Sequence, residues 1–222
     1  MAAGLAAAGY AGCRDAETSD VSPYAACVDP PATVRQTFNC LRAWHDAGAY
    51  GALRPYLDPD AGEEVVDLLV ALDALMAANA GAQNAVRHAS PDADAARLDL
   101  AYLEQYMGLF SRRTTFLRVI QKEEHTLVIA QVGDRLPLEE MRFRRHHVRG
   151  QPGRWVYVPG TTPPGLVQLI REITRALDQI TLVFADARDV SPESVLREYQ
   201  IRVAGKLRRY ATLLADASND PR

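Results

Sequence analysis

The stretch that decides the fold of this 222-residue chain is residues 117–158, LRVIQKEEHTLVIAQVGDRLPLEEMRFRRHHVRGQPGRWVYV. Its segment 126–132 is rich in β-branched residues and holds no helix breaker, which predicts a strand. Gly133-Asp134 supplies turn chemistry, so residues 136–148 are predicted to form an antiparallel return strand. A sheet with one apolar face needs helices to cover it, and the predicted fold class is therefore α+β.

The return strand carries its apolar residues on two different parities. Leu136 and Leu138 share one parity, whereas Met141 and Phe143 share the other. A strand cannot move its apolar residues to the other face without an extra residue, so a β-bulge is predicted near Glu139-Glu140.

Two more segments complete a curved antiparallel sheet of three to four strands. After a turn at residues 150–153, residues 154–158 are predicted to form a strand that ends at Pro159-Gly160. Residues 115–121 are the candidate fourth strand. The sheet is expected to pack on an N-terminal helix, with further helices inserted before it and appended after it.

Apolar residues at helical spacing predict helices on both sides of the sheet. The first helix begins at its N-cap Thr33, ends near Ala47 and is followed by a short helical turn over residues 50–59. Ser90-Pro91 is predicted to open another helix as its N-cap and first residue. The remaining helices are predicted over residues 63–88, 91–110, 164–184 and 192–216.

The predicted organisation is one compact domain behind a leader-like segment. Residues 1–30 form a signal or tether segment, and residues 31–160 form the α+β domain with a helical insertion at about 62–110. Residues 161–216 form a C-terminal helical pair, and residues 217–222 form a frayed tail. The helical pair is expected to cover the sheet or to form a homodimer through a stripe on the last helix, made of Tyr199, Val203, Leu207 and Tyr210.

The charge balance excludes one class of partner. The formal net charge is −3, so no electrostatic attraction to nucleic acid is expected. No apolar run reaches the roughly 20 residues that a membrane helix needs, so contact with a membrane is expected only through a lipid anchor.

The N-terminus resembles a bacterial lipoprotein signal, in which a cysteine after small residues takes the lipid. Ala11 and Gly12 before Cys13 fit that pattern, whereas Tyr10 and the lack of a basic start do not. The resemblance implies lipidation of Cys13 and a place in the cell envelope. The alternative is an alanine-rich disordered tail on a cytoplasmic protein.

Two further cysteines, Cys27 and Cys40, form an even pair once Cys13 is set aside. They suit a disulfide in an oxidising compartment, or two small buried thiols. No CxxC pair occurs, which argues against a zinc ribbon or a thioredoxin-like site.

The most charged feature of the chain is a basic run on the return strand, made of Arg142, Arg144, Arg145, His146, His147 and Arg149. One interpretation is a site for an acidic partner or an anionic lipid headgroup. A metal site is not expected, because neighbouring strand residues such as His146 and His147 point to opposite faces. The favoured interpretation is a cross-strand charge ladder, with Glu124 near Arg144 and Glu123 near Arg145.

Three short motifs resemble the nuclear transport factor 2-like superfamily. They are the small-residue break at residues 46–50, the stop at residues 53–57 and the hairpin signature Gly153-Arg154-Trp155, and the resemblance covers roughly residues 31–60 and 114–158. It implies that the sheet wraps the first helix in a cone whose mouth is the default ligand pocket. Members of this superfamily include isomerases, dehydratases and polyketide cyclases, as well as proteins without catalytic activity.

No residue matches a catalytic motif of that superfamily well enough to carry its role over, and no cofactor or metal is expected. For His45 and Asp46, a helix end favours the histidine through the dipole and leaves the aspartate solvated. The candidate residues of a cone pocket are His45, Asp46, Tyr50, Tyr56, Phe143 and Trp155.

Two functions from different classes follow. The favoured one is a non-catalytic envelope module that binds an unidentified protein partner or small ligand, or serves a structural role. The alternative is a small cone-fold enzyme of isomerase, dehydratase or cyclase type. The enzyme requires a desolvated ionisable residue that converges with another polar group inside the cone, whereas the module predicts a filled or apolar cone.

Overall fold

In a computed structural model of the protein, four antiparallel strands form one open sheet. They are Thr114–Gln121 (β1), His125–Val132 (β2), Glu139–His146 (β3) and Arg154–Val158 (β4), and they lie side by side in this order. This confirms the α+β class and all four predicted strands. The structure describes residues 27, 31–94, 100, 110, 113–133, 138–147, 149, 153–160 and 162–218.

The helices of the described chain flank the sheet in sequence. They are Val34–Asp46 (α1), Gly62–Ala89 (α2), Leu166–Phe184 (α3), Pro192–Tyr199 (α4) and Gly205–Ser218 (α5), with a 3-10 turn at Tyr50–Tyr56 and a π turn at Gln200–Ala204. The last predicted helix is therefore two helices joined by the π turn, which the apolar spacing does not reveal.

The first helix begins where the sequence predicts. Thr33 Oγ1 accepts from the Gln36 backbone N–H at 3.2 Å, and Gln36 Oε1 accepts from the Thr33 N–H at 3.1 Å. These reciprocal bonds form a capping box and satisfy two N–H groups at the start of α1. After the helix, Gly48 takes a positive φ of 65°, a conformation that glycine adopts without steric cost.

Two predicted local features are wrong. Pro91 lies in a turn, not at the start of a helix; of the predicted helix 91–110, residues 95–99 and 101–109 fall outside the described residues. The bulge lies at Leu117 in β1, between Phe116 and Arg118, and not near Glu139-Glu140. The register of β2 and β3 runs without a shift because Leu138 precedes β3 and points to solvent, so this strand never changes faces.

The register divides the side chains of the sheet between two faces. Thr126, Phe143 and Tyr157 lie side by side on the inner face, which packs on α1. On the outer face the corresponding row is Leu127, Arg142 and Val158. The two faces differ in chemistry, because the inner one is apolar and buried while the outer one mixes apolar residues with cations.

Two hydrophobic cores share the long helix α2. The first core joins α1, the 3-10 turn and the inner face to Val65, Val66 and Leu69 at the start of α2. The second joins the rest of α2 to α3, α4 and α5 and contains no residue of the four described strands. The C-terminal helices therefore pack on α2, and the expectation that they cover the sheet is wrong.

The predicted dimer stripe is used within the chain. Tyr199, Val203 and Tyr210 are buried in the second core, and Leu207 packs against it partly buried. This stripe therefore covers α3 and α2, so it gives no reason to expect a homodimer.

Helix α2 is long and apolar enough to cross a membrane by length and composition, although no run of about 20 uninterrupted apolar residues occurs. Half of its most apolar 18-residue window is buried inside the protein. Its 28 residues span about 42 Å, which is what a helix shared by two adjacent cores requires. Burial between the cores thus accounts for the apolar character of this helix.

The predicted charge ladder is wrong by one residue. Arg144 lies opposite His125, not Glu124, and the Glu124 carboxylate instead faces His147 at 3.3 Å. Glu123 has no ion pair within 4 Å among the described residues. The register pairs Ala130 with Glu139, one residue away from the pairing that a turn at Gly133-Asp134 implies.

Arg144 pairs with Asp58, which the sequence places 86 residues away. Its Nη2 donates to Asp58 Oδ1 at 2.7 Å, and its Nε donates to the other carboxylate oxygen. The Asp58 backbone N–H donates to the Tyr157 carbonyl at 2.8 Å, so Asp58 borders the free edge of β4. Arg144 therefore crosses β4, where Val156 lies opposite it and is fully buried.

The Asp58 side chain is only 7% exposed, so the pair with Arg144 is a partly buried one. Burial alone would raise the pKa of Asp58, but the hydrogen bond from Arg144 and that from the Asp60 N–H together hold the pKa below its ordinary value. The ionised carboxylate therefore stabilises the fold above the unfolded pKa of 3.8, and this stability is lost as the pH falls below it.

Replacing Arg144 with Gln should lower the free energy of unfolding by about 2–4 kcal/mol, because it leaves Asp58 buried without its cation. The matched control is Arg54→Gln, which breaks a bidentate pair with Glu63 whose side chains are 54% and 71% exposed. That control should lower the free energy of unfolding much less, because water screens an exposed ion pair. Urea unfolding at pH 7 and pH 3 measures both. Two results would contradict the role of the Asp58–Arg144 pair. One is an equal loss of unfolding free energy in the two variants. The other is a difference in unfolding free energy between the unaltered protein and Arg144→Gln that is as large at pH 3 as at pH 7.

Candidate functional site

The inner face of the sheet, where a cone pocket is predicted, is filled by α1. Phe38 lies 4.9 Å from Phe116 and 6.5 Å from Phe110, measured between ring centroids. Thr37 Oγ1 donates to the Trp155 carbonyl at 2.9 Å, which fixes the helix against β4. Side chains of the protein therefore occupy the space that a ligand in a cone would need.

A smaller cavity of about 250 Å³ lies at the mouth, between the start of α1 and the inner face. We call it the mouth cavity. The guanidinium of Arg35 lies over the Phe116 ring at 5.3 Å, and that of Arg145 lies over the Trp155 ring at 5.7 Å. Both cations are thus engaged with the aromatic rings that border the cavity.

The six candidate residues predicted from the sequence do not assemble into one site. His45 and Tyr50 meet at the end of α1, with ring centroids 6.4 Å apart, and Asp46 points to solvent. The buried Tyr56 hydroxyl donates to the Cys27 carbonyl. Phe143 is buried in the first core and Trp155 borders the mouth cavity, so these six residues have no common centre.

His45 has a partner that the sequence analysis missed. Its Nε2 lies 3.9 Å from Asp73 Oδ1 on α2, and the two side chains are 11% and 32% exposed. Burial raises the pKa of Asp73, while the charge of His45 partly opposes this rise. Neither ring nitrogen of His45 has a hydrogen-bond partner, so the histidine and the aspartate are close without being hydrogen-bonded.

The outer face carries a larger groove, of about 630 Å³, which we call the outer groove. It crosses the sheet near the hairpin between β1 and β2. Ile120, Leu127 and Val158 are half-buried and form its apolar floor. Its polar side chains on the outer face are those of Lys122, His125, Glu140, Arg142 and Arg144. Thr126 and Phe143, whose side chains lie on the inner face, also border it.

The charges of the outer groove are not balanced. Among the described residues, neither Lys122 nor Arg142 forms an ion pair within 4 Å, whereas Arg144 is bound to Asp58. Glu140 is the single carboxylate of the lining. Arg144 is shared by two carboxylates, those of Asp58 and Asp60. The rim is therefore positive where Lys122 and Arg142 face the single carboxylate of Glu140, above the apolar floor.

The sequence indicates that Arg142 and Leu127 lie on strands, but it does not show that they are neighbours. The basic run contains Arg142, and the strand pattern contains Leu127. Their position side by side, with Val158 beyond Arg142, depends on the register of β2, β3 and β4. That register differs by one residue from the one that the sequence predicts.

Across the described ranges, no group of three or more His, Cys, Asp or Glu residues is arranged to hold a metal ion. Within the basic run, His147 faces Glu124 across the hairpin. The outer groove is therefore the larger of the two candidate ligand sites, and no candidate metal site occurs among the described residues.

A disulfide joins Cys27 to Cys40, whose Cα atoms lie 5.4 Å apart. Cys40 is buried within α1, and the carbonyl of Cys27 accepts from Tyr56 in the 3-10 turn. These two links attach Cys27 to the first core. Cys13, the predicted lipidation site, falls outside the described residues.

Comparison of the chain with protein-family models, with curated proteins and with solved structures found no match in any of the three. The resemblance to the nuclear transport factor 2-like superfamily thus depends on its three short motifs alone.

Proposed function

We propose that this protein is a non-catalytic binding module of the bacterial cell envelope and that its ligand lies in the outer groove. The observation that carries the proposal is the contrast between the two faces of the sheet. The inner face is filled by α1, whereas the outer groove offers an apolar floor of Ile120, Leu127 and Val158 under uncompensated cations. Apolar lining with a few polar groups is the usual character of a ligand site.

The absence of a common centre for the predicted cone residues supports a non-catalytic role. A general acid or base must lie within hydrogen-bond reach of a bound substrate. Tyr56 is already bonded to the Cys27 carbonyl, and Asp46 points to solvent away from both cavities. We propose that the chain is a divergent member of the nuclear transport factor 2-like superfamily. That superfamily includes proteins without catalytic activity, so a non-catalytic role is compatible with this membership.

An envelope location has two independent supports. Disulfides persist in oxidising compartments, and Cys27 and Cys40 are joined by one. The residues before Cys13 resemble a lipoprotein signal, which would anchor the protein to a membrane. We therefore propose a lipid anchor at Cys13 with the folded part outside the cytoplasm.

A second function, a small cone-fold enzyme, is favoured by the pair His45 and Asp73. A desolvated carboxylate beside an imidazole is the arrangement expected of a proton-transfer site. It ranks second because His45 packs against Tyr50 and Phe110 and borders neither the mouth cavity nor the outer groove.

The groove is tested with the neutral fluorescent dye Nile red, which needs an apolar surface but no charge. Leu127→Asn should weaken dye binding by about tenfold, since it replaces the floor with a polar side chain. The matched control is Leu117→Asn, because Leu117 is 51% exposed and lies at the bulge of β1 outside the groove. Equal dye affinity in the protein and in Leu127→Asn, with circular dichroism unchanged, would overturn the binding function.

The envelope location is tested by expressing the gene with its native upstream region in a bacterium. The protein should partition into the detergent phase of Triton X-114, and Cys13→Ser should move it to the aqueous phase because the lipid is lost. Alkylation of intact cells should leave Cys27 and Cys40 unlabelled. An aqueous partition of the unaltered protein, or free Cys27 and Cys40 thiols, would contradict the proposal.

A further inference from the structure

We infer that the ligand of the outer groove is a small amphipathic monoanion, with one carboxylate on Arg142 and an unbranched apolar chain over Leu127 and Ile120. This inference rests on the proposed binding function and names the chemical class of its ligand. It is carried by the length of the groove, by the backbone pairing beneath it and by the excess charge at its rim.

The groove runs across the strands and not along them. Its lining comes from β1, β2, β3 and β4, at Ile120, Leu127, Arg142 and Val158 respectively. Four strands separated by about 4.8 Å span about 14 Å from first to last. A ligand that fills the groove is therefore elongated and lies roughly perpendicular to the strands.

The backbone beneath the groove argues against an extended peptide. The residues of its floor take part in the ladders β1-β2, β2-β3 and β3-β4, so their N–H and C=O groups bond to neighbouring strands. The face of a sheet offers only side chains to a ligand. A peptide laid across it would lose water from its own backbone groups without gaining partners, whereas a hydrocarbon chain loses nothing in this way.

The rim selects a negatively charged head. Arg142 lies between Leu127 and Val158 in the register, so an apolar side chain stands on each side of it. The planar fork of an arginine matches the two oxygens of a carboxylate. Lys122, at the end of β1, adds a second cation at the same face, and neither cation has an acidic partner within 4 Å among the described residues.

Glu140 limits the charge of that head to one. It lies two residues before Arg142 on the same strand and face, and it lines the same groove. Arg144 is already bound to Asp58 and Asp60, so the cations of the lining that are left for a ligand are Lys122 and Arg142. Within the lining, a dianion such as a phosphate monoester together with Glu140 would set three negative charges against the two cations Lys122 and Arg142, so a monoanion fits best.

A second copy of the chain fits the groove less well. In a two-fold dimer the same patch faces itself, so the uncompensated Lys122 and Arg142 of both copies would be brought together around one carboxylate from each. The charge complementarity favours a separate acidic molecule.

The test is displacement of bound Nile red by three amphiphiles of equal chain length, each kept below its micelle concentration. Dodecanoate should displace the dye at a concentration at least about tenfold lower than methyl dodecanoate or dodecylammonium, because only the first carries a carboxylate for Arg142. Arg142→Gln should bring dodecanoate to the level of its methyl ester while Nile red still binds. The matched control Arg118→Gln removes the same charge from the same face outside the groove and should change neither value.

The outcomes separate the inference from the function beneath it. If all three amphiphiles compete equally, or if Arg118→Gln weakens dodecanoate as much as Arg142→Gln does, the groove binds apolar molecules but the carboxylate assignment is wrong. If Nile red binding does not respond to Leu127→Asn, the proposed function itself fails. A dimer in sedimentation velocity that Leu127→Asn dissociates would identify the face as an interface between copies and would also overturn the inference.

Discussion

The packing of α1 into the concave side of the sheet is the constraint on which the other features of the molecule depend. Phe38 and Leu41 are buried there together with Phe143 and Trp155, and Thr37 bonds to the backbone of β4. Burial of an aromatic side chain such as Phe38 removes roughly 150–250 Å² of surface from water. The helix α1 therefore supplies much of the first core. Because that side is filled, the ligand site that we propose lies on the opposite face of the sheet.

On the outer face, Arg144 and Arg142 differ in whether they have an acidic partner. Its side chain crosses β4 to reach Asp58, and the resulting pair shields Val156 and holds the segment after the 3-10 turn against the sheet. Arg142, two residues earlier on the same face, forms no ion pair within 4 Å among the described residues. Two arginines of one basic run thus differ: Arg144 is bound to Asp58, and Arg142 is the residue that we propose holds the ligand. Separately, the C-terminal helices complete a second core on α2 and leave the outer groove open.

Local signals in the sequence were sufficient for the four strands and for some helix starts, but not for long-range geometry. Thr33 and Ser191 cap helices as local capping chemistry favours. The same Ser-Pro pattern at Ser90-Pro91 lies in a turn, so a capping signal alone does not decide where a helix begins. The partner of Arg144 could not be found this way, because Asp58 is 86 residues distant and is brought to β4 by a parallel bridge between Leu57 and Tyr157. The pairing of His45 with Asp73 likewise depends on how α1 and α2 pack, and the outer groove depends on a register that a one-residue difference in the hairpin changes.

The filling of the inner face is tested most directly by the free energy of unfolding of Phe38→Ala, measured in urea beside the exposed control Leu117→Ala. Removing Phe38 should cost about 3–5 kcal/mol because it opens a cavity between α1 and the sheet, whereas the control should stay within about 0.5 kcal/mol. A cost below about 1 kcal/mol for Phe38→Ala would mean that α1 does not fill the concave side. The cone would then be open, and the assignment of ligand binding to the outer face would lose its basis.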